Sequence, residues 1–208
     1  MDALRARAAH TAHSLRVLTQ SGILGPATVS RVLPTVRAAR KWGLGPAAAY
    51  AVGAACYPDE AAVIDERGPL TFKEMEQRTN AVANAAGAAG INPGDKVAIM
   101  CRNHRGFVDI SVGLAKRGAD LIYLNTGFSG PQLADVTARE DAAAVVYDQE
   151  FHGLLDGVAA NVRRIVAWVD DEGALPAGVA TLDGMIETGG GEDPPPPSHD
   201  SRIVMLTS

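Results

Sequence analysis

Aromatic residues are scarce in this chain of 208 residues: two Trp, four Tyr and four Phe, 5% in all. Stacking platforms for nucleic acid need more of them, so no nucleic-acid partner is expected. Cysteine is scarcer still. Cys56 and Cys101 cannot make a disulfide framework, and a reduced, cytoplasmic chain is the simplest expectation. No stretch of 18 uncharged apolar residues occurs. The nearest, Gly43 to Pro58, is short and rich in Gly, Ala and Pro, which makes a poor spanning helix. The N-terminus also lacks the unbroken apolar segment of a signal peptide. There is no nucleophile elbow, dinucleotide-type glycine fingerprint or complete Walker-type loop, so motifs internal to the chain yield no catalytic residue.

What is present is an apolar fraction of 47%, enough for a real core, and a lopsided charge. The net charge of −5 divides into +6 over residues 1–57 and −11 over the rest. A basic arm on an acidic body bears on partners rather than on fold. Residues 1–57 read as a helical N-terminal segment broken at Ser21–Pro26, Pro34 and Gly43–Pro46. Its basic residues and its Leu, Val and Trp side chains suit either a peripheral membrane contact or packing on the acidic body.

From Asp59 the texture changes. Residues 61–72 predict two short strands around a turn at Glu66–Gly68. Thr71 followed by Glu74 has capping-box spacing and opens a helix that Gly90 closes. Strand-like runs at 96–101, 119–125, 142–148 and 163–170 then alternate with helix-like runs at 105–118, 130–140 and 150–162. That alternation predicts an α/β fold with a mainly parallel sheet and flanking helices over residues 58–186. Residues 187–201, with three glycines and Pro194–Pro197, read as a linker. A short apolar strand and Thr207–Ser208 fill 202–208.

Each candidate for chemistry has an ordinary alternative. Asn103 and His104 follow a strand and could hold a substrate group and move a proton. The favoured expectation is that Asn103 caps the next helix, with His104 and Arg105 solvated in its first turn. Asn125, Thr126 and Ser129 could line a pocket, or form the turn and cap ahead of Pro131 at the first helical position. His10 and His13 have metal-ligand spacing but no further ligand nearby, and His152 and His199 stand alone. Asp170–Glu172 reads as a solvated loop, and Cys101 as a buried thiol.

In order, "LTFKEM" (70–75), "RTNAVANAAGAAGINPGDKVAIMCRNH" (78–104) and "GLAKRGADLIYLNTGFSGPQL" (113–133) resemble elements of the adenylate-forming superfamily. Asn103–Phe107 and Asn125–Phe128 are most similar to actinobacterial fatty-acyl-CoA synthetases. "IVMLTS" is similar to the start of that family's phosphate loop, with Thr207 and Ser208 at its first two positions. The resemblance implies ATP, Mg²⁺ and CoA as cofactors, a fatty acid as substrate, and a two-step reaction through an acyl-adenylate. It also implies that the loop's glycines and lysine, and the residues serving adenine, ribose and Mg²⁺, lie beyond this chain. On that reading the 208 residues are a fragment or a truncated gene product, inactive alone and binding no cofactor. The other reading is a non-catalytic α/β binding module. A cytoplasmic site, with a membrane-peripheral one as the option, completes the expectation.

Overall fold

The computed structural model describes residues 29–175 and 178–206. Two helices come first, α1 (Val29–Trp42) and α2 (Pro46–Cys56). A β-hairpin follows, β1 (Ala61–Asp65) and β2 (Gly68–Thr71), paired antiparallel. Then come α3 (Phe72–Ala88), β3 (Lys96–Met100), α4 (Arg105–Arg117), β4 (Asp120–Tyr123), α5 (Gly130–Arg139) and β5 (Ala142–Asp148). A 3-10 helix (Gln149–Gly157), β6 (Arg163–Trp168), β7 (Ala180–Thr181), α6 (Leu182–Gly189) and β8 (Ile203–Met205) complete the order.

Residues β3 to β8 form one six-stranded sheet in the order β7-β6-β5-β3-β4-β8, and every pairing in it is parallel. Strand side chains alternate between two cores, as the period of two requires. Val97, Ile99, Leu121, Ala144, Val146 and Ile165 face a core shared with α1, α2, α3, α4 and α6. Ala98, Met100, Ile122, Val145, Tyr147 and Val166 face a second core under α5 and the 3-10 helix. The sheet is therefore the middle of three layers, and the expected α/β architecture is what the chain adopts.

Local rules set the helix starts. Glu74 N–H donates to Thr71 Oγ1 at 3.2 Å, and Thr71 N–H donates back to Glu74 Oε2 at 2.8 Å, a complete capping box. Ser129 N–H donates to Gln132 Oε1 at 2.8 Å, so α5 starts at Gly130, with Pro131 second rather than first.

The stretch read as a linker docks on the body. Residue 189 closes α6, and Asn84 Nδ2 then donates to the carbonyls of Gly190 (3.3 Å) and Glu192 (3.1 Å). Gly118, at the end of α4 with φ +83°, is held close: a Cβ there would come 2.7 Å from the His199 carbonyl oxygen. Asp120, buried at the head of β4, takes Arg202 N–H at 2.9 Å, Arg202 Nε at 3.0 Å and His199 Nε2 at 3.0 Å. His199 thus has a partner where the sequence offered none. This clasp delivers β8 into register against β4, Leu121 opposite Ile203 and Tyr123 opposite Met205.

Candidate functional site at the carboxyl edge of the sheet

In a parallel sheet all strands end at one edge, and the loops after β3, β4, β5 and β6 open there, where β8 also ends. The strand order reverses at β3: β4 lies on one side, while β5, β6 and β7 lie on the other. Open α/β sheets bind ligands at the carboxyl ends beside such a reversal. Asn103–His104 and Asn125–Thr126 both follow strands of this one sheet, so topology brings these two groups of candidates to a common edge. Thr207 and Ser208 themselves lie outside the described residues, as do His10 and His13.

At the reversal, the cap of α4 is His104 rather than Asn103, and His104 is buried at 7% exposure rather than solvated. Its Nε2 lies 3.0 Å from Asp148 Oδ1 at the end of β5. A carboxylate oxygen accepts, so Nε2–H of His104 is the donor of this bond. The other oxygen, Asp148 Oδ2, accepts Arg102 N–H at 2.6 Å. Trp168, the last residue of β6, packs on the His104 ring at 4.5 Å between centroids, and Arg67 covers the indole at 3.9 Å. Nδ1 is buried with no hydrogen-bond partner and faces Gly106, whose added Cβ would lie 3.0 Å away. The crevice between β3 and β5 is thus filled by the protein's own ring. His104 ties two strand ends together.

Arg105 is also buried rather than solvated. Its Nε donates to Asp65 Oδ2 at 2.9 Å, and Arg105 N–H donates to the same oxygen at 2.8 Å. The Arg105 guanidinium, followed by its backbone amide, holds the Asp65 carboxyl well below the usual carboxylate range despite burial. The pair fastens the β1–β2 hairpin to the start of α4. Burial, then the Asp148 carboxylate, pushes the Cys101 thiol well above its ordinary value, which suits an inert thiol.

The remaining candidates separate cleanly. Asn125 Oδ1 accepts Gly127 N–H at 2.9 Å, so its side chain shapes the turn after β4, and Ser129 serves as the α5 cap. His152 Nδ1 shares a hydrogen bond with the Tyr147 hydroxyl at 2.9 Å, a second partner the sequence did not reveal. Asp171 caps the short 3-10 turn at Glu172–Ala174. Among the described residues, no three His, Cys, Asp or Glu side chains gather into a metal-holding group. On the other side of β3, β4 and β8 end side by side, at Asn125–Thr126 and Leu206.

A parallel sheet with a reversed strand order, bearing a polar turn after β4 beside the end of β8, defines an open, doubly wound α/β domain. Residues 51–208 match the model of the AMP-binding enzyme family, and the chain belongs to that family. The medium/long-chain-fatty-acid–CoA/3-oxocholest-4-en-26-oate–CoA ligase of Mycobacterium marinum is 31% identical over 116 residues, covering 54% of this chain and 21% of that ligase. The fatty acid–[acyl-carrier-protein] ligase ScoC of Streptomyces coeruleorubidus is 29% identical over 111 residues, covering 53% of this chain and 21% of that enzyme. Among solved structures, a fatty acyl CoA synthetase of Mycobacterium tuberculosis superposes with a TM-score of 0.66 at 20% identity, covering 78% of this chain and 32% of that one. The chain thus spans about a fifth of the length of the curated relatives it matches.

Proposed function

We propose that these residues are the N-terminal part of an ATP-dependent fatty-acyl-CoA ligase. The observation that carries this reading is the family match over residues 51–208, joined to the position of β8, which ends beside β4 at the carboxyl edge. In the proposed reaction a fatty-acid carboxylate attacks the α-phosphorus of ATP, giving acyl-adenylate and pyrophosphate. The thiol of CoA then attacks the acyl carbon and expels AMP. The role of this chain is to hold the start of the phosphate loop: Asp120 clasps the strap, the strap sets β8, and the residues that follow in sequence, Thr207 and Ser208, resemble the loop's first two positions. There, small residues allow backbone amides and hydroxyls to surround phosphate oxygens.

With about a fifth of a relative's length, the 208-residue polypeptide alone neither adenylates nor binds ATP measurably. Calorimetric titration with ATP·Mg²⁺ tests this: no saturable heat is expected, and a stoichiometric micromolar isotherm would overturn it. Such an isotherm would favour a binding module that acts as it stands.

A further inference from the structure

Helix α1 is apolar on two opposite faces, and only one of them is used. Arg31, Ala38 and Trp42 share the inward stripe, with Ala38 and Trp42 buried in the core. Val32, Leu33 and Val36 lie on the outward stripe at 50%, 53% and 41% exposure, and Leu44, in the turn after the helix, is 98% exposed. Arg37 and Arg40 follow on the same outward face, and α1 contains no acidic residue. Lys41 is occupied by Asp193, and Arg31 lies on the Tyr57 ring. Arg37 and Arg40 make no ion pair among the described residues, so their charge faces outward with the valines and the leucines.

We propose that this outward face of α1, with Leu44, is a docking surface for an anionic lipid membrane. Branched apolar side chains beside arginines, without an acidic residue among them, match a surface that is apolar below and anionic above. Charge selects this occupant over the others. Residues 1–28 are themselves basic, with Arg5, Arg7 and Arg16 against Asp2, so they do not complement Arg37 and Arg40. A second copy presenting the same face would set arginine against arginine. The acidic body is complementary, but it lies on the inward side, where Asp193 meets Lys41. Among the described residues no helix is long and apolar enough to cross a membrane, so the contact is one of lying on the surface. The proposal stands independently of the ligase reading.

The test is sedimentation of the full chain with vesicles of phosphatidylcholine, with and without phosphatidylglycerol. Binding is expected only to the phosphatidylglycerol vesicles, and added salt should weaken it. Arg37→Gln and Arg40→Gln should each weaken it about five-fold, and Val32→Ser with Leu33→Ser should abolish it. These positions are exposed, and an unchanged thermal midpoint confirms that the variants fold. No binding to anionic vesicles, equal binding to neutral ones, or equal binding by the folded variants would overturn the proposal. So would a dimer in lipid-free solution that Leu33→Asp dissociates, because the face would then belong to a second copy.

Discussion

At the residue scale, the carboxyl edge is organised by buried charges that reach far along the chain. Asp65 and Arg105 are 40 positions apart, and so nearly are His104 and Asp148, at 44. Removing one member of a buried pair leaves the other uncompensated, at a cost of about 3–5 kcal/mol. Asp65→Asn should therefore lower stability by that order in denaturant titrations at neutral pH. The sign of its pH dependence follows from the depressed carboxyl. Its stabilisation is complete above the unfolded-state value near 4 and is lost as pH falls through the lower folded-state value. The gap between parent and Asp65→Asn should thus close below about pH 4; a gap that widens in acid would contradict the pairing. None of these pairs was legible in the sequence. A histidine at a helix start looks the same whether it is solvated or buried, because what decides is a partner on another strand. His104, Arg105, His152 and His199 all proved partnered for that reason.

At the element scale, the sequence was most informative where chemistry is local. The Thr71–Glu74 capping box, the hairpin over 61–71 and the continuous apolar strands β3, β4 and β5 are all visible in short windows. The run read as a helix over 150–162 is a 3-10 helix ending at Gly157, since Gly153 and Gly157 weaken an α-helix and only Phe151 and Leu155 bury themselves. The docking of residues 190–202 was hidden because it depends on Asn84, Gly118 and Asp120, distant in sequence. Burial would raise the Asp120 carboxyl, but Arg202 and His199 outweigh it and hold it below its ordinary value. Asp120→Ala should release the strap. Hydrogen exchange should then quicken over 190–206 and stay unchanged in α3; uniform quickening would show that Asp120 supports the whole fold instead. Beyond the strap, β8 is a sheet edge with Ile203, Val204 and Met205 exposed at 44%, 36% and 74%. Apolar edges recruit further strands. The 208-residue chain should therefore self-associate with rising concentration, and Val204→Lys should shift it toward monomer in sedimentation velocity. Identical profiles for the two would remove the edge as the cause.

At the scale of the whole molecule, the parallel sheet and its strand reversal bring loops from several strands to one side, and the family match shows what kind of enzyme uses this arrangement. The alternation of strands and helices announced the sheet, but its order could not be read from one chain, because nothing local says that β5 returns past β3. Thr207 and Ser208 were identified from resemblance alone, and their proposed role depends on how β8 is held. The most direct test joins this chain at Ser208 to the corresponding remainder of the M. marinum ligase and measures fatty-acid-dependent pyrophosphate release. Release that needs ATP and fatty acid, and that falls at least about tenfold (~1.4 kcal/mol of barrier) in the Thr207→Ala, Ser208→Ala double variant, is the result predicted. A chimera that unfolds cooperatively, and so is folded, yet releases no pyrophosphate above background would contradict the proposal that this chain is the nucleotide-positioning part of such a ligase.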